Sequence, residues 1–100
     1  MLVTTSDIKT DYKVLGLAMG STTRARHLGQ DLVAGLRKLA GGEVTEYSRL
    51  LVEAREKAIE EMIRQAESLG ANAVIGMRLT STTMAAGVAE VTAYGTAVKI

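Results

Sequence analysis

The sequence predicts an α+β fold, in which a small and mainly antiparallel sheet packs one face on two helices. Two observations carry this prediction. Apolar side chains over residues 46–69 recur every three or four positions, which marks the buried stripe of an amphipathic helix. Residues 12–19, 71–79 and 88–100 instead alternate between two sets of side chains, as strands do. The expected order is β-β-α-α-β-β, in a single domain over residues 1–100.

The N-terminal part of the chain predicts two strands and the first helix. Residues 2–5 are a short β-rich start, and residues 12–19 (YKVLGLAM) are a strand with small residues along one face. Residues 20–23 (GSTT) are expected to end that strand and to cap the next helix. The helix follows over residues 27–40, with a stripe of leucines, and the glycines at 41–42 end it.

The second helix is the longest predicted element, with Thr45 as its N-cap and Leu69 at its end. Charged residues lie opposite its apolar stripe, with acids four positions before bases. Gly70 follows where a left-handed C-cap residue belongs. The stripe predicted to be buried consists of Tyr47, Leu51, Ala54, Ala58, Met62, Ala66 and Leu69.

The remaining strands, at 71–79 and 88–100, are joined by a small-residue connection at 81–87. Regular alternation places Leu15 with Leu17 on one face, and Ile75 with Met77 on one face. The other sheet face, rich in small residues, is expected to contact neighbouring subunits. The residues assigned to that interface are Gly16, Ala18, Ala93, Gly95 and Ala97.

Composition favours a homo-oligomer without nucleic-acid or membrane partners. Because 47% of the residues are hydrophobic and only 23% are charged, one small domain has difficulty hiding its apolar surface. The net charge of +1 comes from interspersed charges without a basic run, which disfavours nucleic-acid binding. The absence of cysteine excludes disulfides and thiolate chemistry. No leader or membrane span is recognised, so a cytoplasmic location is expected.

Three motifs, in order, resemble the YbjQ-like family of small bacterial and archaeal proteins. They are EYSRLLVEAREKAIEEM at 46–62, LGANAVIGMR at 69–78 and AYGTAV at 93–98. The resemblance runs nearly end to end. It implies a dodecin-like subunit in a ring-forming homo-oligomer, usually described as a pentamer. It brings a heavy-metal-binding label but no established enzyme activity.

Metal binding is one alternative function, with sites at subunit boundaries. Zinc ordinarily takes three or four protein ligands, whereas this chain has one histidine, His27, and no cysteine. A ring can bring copies of His27 together, and Met77 and Met84 offer thioethers to a soft ion. The favoured interpretation is that His27 begins a helix and the methionines pack, so no cofactor is expected.

Anion binding at the helix start over residues 20–27 is a second alternative. Free backbone N–H groups, hydroxyls and positive charge together favour a phosphate or carboxylate. The segment lacks the Gly-Lys-Ser/Thr ending of a P-loop, and a capped helix with solvated arginines is the favoured interpretation. The candidate residues are Ser21, Thr22, Thr23, Arg24 and Arg26.

Catalysis is not predicted. Glu56 and Glu60 lie four residues apart on a helix, but neighbouring bases make a solvated charge ladder the ordinary explanation. Tyr47 and Arg55 are most simply core, interface or ion-pair residues. No nucleophile, base and orienting group can be assembled from these residues. The predicted role is therefore that of a homo-oligomeric binding or structural protein.

Overall fold

A computed structural model of the chain describes residues 1–21, 44–83 and 89–100. The first predicted helix, over 27–40, lies outside these ranges. Within them the protein has one helix and four strands, which confirms the α+β class. The elements are β1 (Leu2–Val3), β2 (Lys13–Ser21), α1 (Val44–Ser68), β3 (Ala73–Thr83) and β4 (Ala89–Lys99). The described part of α1 already includes Val44, so Thr45, which was predicted as the N-cap, lies within the helix.

The four strands form one mixed sheet in the order β1-β3-β4-β2. β4 pairs antiparallel with both β2 and β3, while the short β1 pairs parallel with β3. Among the strands that the structure describes, β2 and β1 are therefore at the two edges. α1 packs on one face of the sheet, chiefly over β2 and β4.

The core between α1 and the sheet is built from unusually small side chains. Among the buried residues whose side chains the structure describes, Met62 is the only member of this core larger than valine. Because alanines face each other across the layer, α1 lies very close to the strands. A Cβ on Gly20 would collide with the carbonyl oxygen of Ala58 and the backbone nitrogen of Met62. The buried residues of this core are Ala18, Ala54, Ala58, Met62, Ala66, Ala71, Val74, Val91, Ala93 and Ala97.

Two strands are longer than predicted. β2 continues through Gly20 and Ser21, which pair with β4, so the predicted break at 20–23 was wrong at these two positions. β3 continues to Thr83 instead of ending at Leu79. In both places the antiparallel partner β4 supplies hydrogen bonds that no local pattern reveals, and that pairing outweighs the weak strand preference of glycine and serine.

Each of two strands carries a bulge that reverses its faces. The register shifts between Val14 and Gly16 in β2, and between Ile75 and Arg78 in β3. An extra residue at a bulge moves the following side chains to the opposite face. Met77 accordingly packs against the core under α1, whereas Ile75 lies on the other face. The regular alternation predicted for these strands was wrong.

The end of α1 follows the predicted C-cap. Gly70 has a φ of +86°. Its N–H donates to the carbonyl of Glu67 at 2.9 Å, and the N–H of Ala71 donates to the carbonyl of Ala66 at 3.1 Å. This pair of bonds is a Schellman motif, which satisfies carbonyls that the helix leaves open. The motif ends α1 and directs the chain into β3.

Candidate functional site

The candidate functional surface is the sheet face turned away from α1, here called the outer face. Cross-strand pairs define it, because directly paired residues point to the same side. Leu17 pairs with Thr96, and Tyr94 pairs with both Met19 and Arg78. The outer-face residues are Val14, Leu17, Met19, Ser21, Ala73, Ile75, Arg78, Thr80, Glu90, Thr92, Tyr94, Thr96 and Val98.

One end of the outer face is covered by the chain's own N-terminal segment, residues 1–12. Ala73, Ile75 and Val98 form a small buried cluster there, and Ile8 and Tyr12 pack against it. These apolar side chains are hidden within the subunit. The N-terminal segment therefore divides the outer face into a covered end and an open end.

The bulge in β3 holds the N-terminal segment in place. The N–H of Met77 donates to the carbonyl of Thr4 at 3.0 Å, and the N–H of Gly76 donates to the carbonyl of Ser6 at 3.3 Å. Arg78 adds a bond from Nη1 to the carbonyl of Thr5 at 2.8 Å. Gly76 has a φ of +61°, which glycine adopts readily. The bulge thus supplies donors to the segment that a regular strand would direct elsewhere.

Asp7 and Tyr12 close the turn within this segment. Asp7 Oδ1 accepts from the backbone N–H of Ile8 and from the Tyr12 hydroxyl, each at 2.8 Å. The hydrogen bond to Asp7 raises the pKa of Tyr12, and burial and the negative charge of Asp7 act in the same direction. The phenol therefore stays protonated at neutral pH. The hydroxyl of Tyr12 therefore acts as a hydrogen-bond donor that closes the turn and not as a base.

Replacing Tyr12 by phenylalanine should remove the hydrogen bond to Asp7, and the resulting loss of stability should depend on pH. Since the pKa of Tyr12 is raised on folding, its stabilisation is fully present below the ordinary tyrosine pKa of about 10 and is lost as pH rises through the folded pKa. Urea unfolding from about pH 8 to about pH 11 measures the free energy of unfolding of both proteins. The difference in this free energy between wild type and Tyr12→Phe should become smaller towards pH 11. Tyr94→Phe should lose stability at alkaline pH as wild type does. If the difference in free energy of unfolding between wild type and Tyr12→Phe stays constant with pH, the stabilising role of the Tyr12 hydroxyl is contradicted.

The open end of the outer face is apolar and exposed along β2. Val14 and Leu17 are each 59% exposed, and Met19 is 46% exposed. Half-buried threonines and Tyr94 continue this surface across β4. Among the outer-face residues that the structure describes, only Arg78 and Glu90 carry charge. A surface of this kind is typical of a protein–protein contact.

The small residues predicted as the oligomer interface lie elsewhere. Ala18, Ala93 and Ala97 are completely buried beneath α1. Gly16 and Gly95 pair with Ala97 and Ala18, so they too lie on the helix side of the sheet. The structure thus differs from the sequence expectation. Small side chains on that face allow close approach of the subunit's own helix instead of a neighbouring subunit.

The structure brings few of the other predicted site residues together. Met77 is half-buried against the core under α1, and Ser21 ends β2. Glu56, Glu60 and Arg55 are exposed along α1. Within residues 1–21, 44–83 and 89–100, no three His, Asp or Glu side chains group as a metal site requires. The predicted residues that lie outside those ranges are Thr22, Thr23, Arg24, Arg26, His27 and Met84.

The contact between Gln65 and Met19 was not predicted from the sequence. Gln65 lies on the exposed side of α1, yet its Oε1 accepts the backbone N–H of Met19 on β2. The two residues are 46 positions apart. A glutamine between an arginine and an alanine on a helix gives no local signal of such a bond. In the helical part that the structure describes, α1 is not long and apolar enough to cross a membrane.

A family model and curated relatives identify one family for this chain. A family model described as "Putative heavy-metal-binding" matches residues 1–100. A UPF0145 protein of Methanosarcina acetivorans is 52% identical over 103 residues, which cover 100% of this chain and 97% of the relative. A UPF0145 protein of Clostridium perfringens is 50% identical over 101 residues, covering 98% and 95%. A crystal structure of a protein of unknown function from Pediococcus pentosaceus superposes with a TM-score of 0.61 at 16% identity, covering 100% and 97%, and shares the fold.

Proposed function

The chain belongs to the YbjQ-like family of UPF0145 proteins, and from this premise we propose that it is the subunit of a homo-oligomer with a structural or binding role. The open end of the outer face is the observation that carries the proposal. Its exposed side chains, Val14, Leu17 and Met19, line one strand and are uncharged. A second copy presents the same neutral surface, so the two can meet without burying unpaired charge.

A ring of five copies is the assembly we propose, in keeping with the family resemblance. A structural or binding role is favoured over catalysis because the side chains of the described surface do not bring a nucleophile, a base and an orienting group together. The relatives' names assign no enzymatic activity. The described residues contain no group of side chains that could hold the metal named in the family's description, so no metal-dependent step is proposed.

Placing a charge on the open end of the outer face tests the proposal. Leu17→Lys puts an ammonium group in the centre of the proposed contact, where desolvating it without a partner is costly. We expect the oligomer to dissociate to monomers, with the dissociation constant raised by at least about 100-fold. Native mass spectrometry and light scattering after gel filtration measure the subunit number, and far-UV circular dichroism reports whether the variant is folded.

Val52→Lys is the matched control. Val52 is also a partly exposed apolar residue, at 39%, but it lies on α1 and not on the outer face. This variant should keep the wild-type subunit number. An unchanged oligomer for Leu17→Lys at the same concentrations would show that the outer face is not the assembly surface, and a monomeric wild-type protein would refute the oligomer itself.

A further inference from the structure

Among the described strands, β2 has a partner strand on one side only, and an edge of this kind is an aggregation hazard. β2 is the last strand of the sheet and runs for nine residues, Lys13–Ser21. Three large apolar side chains, Val14, Leu17 and Met19, are exposed along it. A long edge strand with apolar side chains is a template for adding a strand from another molecule. Proteins generally block such edges with a charge, a bulge or a covering element.

The side chain of Gln65 on α1 reaches this edge. The helix lies almost directly on β2, because a Cβ at Gly20 would meet the backbone of α1. Gln65 lies in the last turn of that helix, three residues before Ser68, and its Oε1 accepts the N–H of Met19, the residue before Gly20. In an antiparallel pair, alternate residues direct their N–H groups away from the partner strand, and the bond to Gln65 identifies Met19 as one of these residues. An incoming strand would need the same donor for its own ladder.

We propose that Gln65 is an edge-blocking residue: it occupies the backbone N–H of Met19 and prevents the open-ended addition of strands to β2. The bond removes one donor in the middle of the apolar stretch of the edge. It also places the polar side chain of Gln65 where the backbone of an added strand would lie. The bulge between Val14 and Gly16 disrupts the ladder further towards the start of the same strand. Together, these two features leave no long regular stretch of β2 open to pairing.

This inference does not rest on assembly through the outer face. Edge pairing extends a sheet in its own plane, whereas outer-face contact stacks one surface on another. The two contacts can therefore be separated by variants. Thr96 lies on the outer face in β4, away from the free edge, so Thr96→Arg weakens face contact and leaves the β2 edge unchanged.

The test removes the acceptor from position 65 while keeping the helix. Gln65→Ala deletes the side chain, and Gln65→Met keeps its length without an amide. Gln65→Glu is the matched control, since a carboxylate still accepts the Met19 N–H. All three residues suit an exposed helix position. Each variant is made in the wild-type and the Thr96→Arg backgrounds, and light scattering with thioflavin T fluorescence follows its mass over a 100-fold range of concentration.

We expect Gln65→Ala and Gln65→Met to grow several-fold in mean mass with rising concentration and to bind thioflavin T in both backgrounds. Wild type and Gln65→Glu should keep a constant mass in each. If Gln65→Ala and Gln65→Met stay folded and match wild type throughout, Gln65 does not guard the edge. Growth that disappears in the Thr96→Arg background would assign it to the outer face and would also refute the proposal. Growth in that background supports it even if the wild-type protein is a monomer.

Discussion

Replacing Gly20 by alanine should lower the free energy of unfolding by about 3 kcal/mol, because the added methyl group has no space. Its Cβ would overlap the carbonyl oxygen of Ala58 and the backbone nitrogen of Met62. Both atoms belong to the backbone of α1, so no side-chain rotation can relieve the clash. The helix must move away from β2, which opens gaps throughout the small-residue core.

Gly76→Ala provides the control for this substitution. A Cβ at Gly76 would meet nothing within 4 Å, but the residue has a φ of +61°. Its cost is therefore conformational only, about 1 kcal/mol, and Gly76→Asn should cost less because asparagine tolerates this backbone region. Urea unfolding at neutral pH measures all three variants. A smaller loss for Gly20→Ala than for Gly76→Ala would contradict the close contact between α1 and β2.

Ala97→Arg should abolish folding of the subunit. Ala97 is fully buried under α1 in a layer lined by small apolar side chains. A guanidinium group there would lose its hydration without gaining an ionic partner, and the side chain is far larger than the site. The cost is expected to exceed the roughly 5–15 kcal/mol that stabilises a small domain. The variant should show no cooperative unfolding transition and should aggregate.

Thr96→Arg is the neighbouring control, on the opposite face of the same strand. Thr96 is half-buried and pairs with the exposed Leu17. An arginine at this position can reach water, so the variant should unfold cooperatively, as wild type does, while losing the outer-face assembly. Circular dichroism, thermal unfolding and native mass spectrometry distinguish the pair. Equal behaviour of the two variants, whether both fold or both fail, would mean that the faces of β4 are assigned incorrectly.

The helix α1 and its ending could be predicted from sequence because their causes are local. The spacing of Ala54, Ala58, Met62 and Ala66 marks a buried stripe, and these four residues are buried in the structure, whereas Leu69, predicted to be buried at the end of the stripe, is 42% exposed. The Schellman motif at Gly70 uses only backbone atoms from Ala66 to Ala71. Interactions between residues less than six positions apart leave a signature that composition and periodicity reveal. The strand-forming segments could likewise be predicted from the local alternation of side chains. The family was recognised from three sequence motifs, and the surplus of apolar residues follows from the composition.

The use of each sheet face was decided only by the tertiary structure. A stripe of alanine and glycine suits a close helix or a neighbouring subunit equally well, and only the position of α1 shows that Ala18 and Ala97 serve the first purpose. The two bulges depend on pairing with β4, and each reverses the faces that simple alternation assigns. The bond from Met19 to Gln65 joins residues 46 positions apart. The sequence by itself determined the family, α1 with its C-cap and the strand-forming segments. The exposed surface of the sheet and the contact of Gln65 with the edge of β2 depend on long-range packing, which local sequence patterns do not reveal.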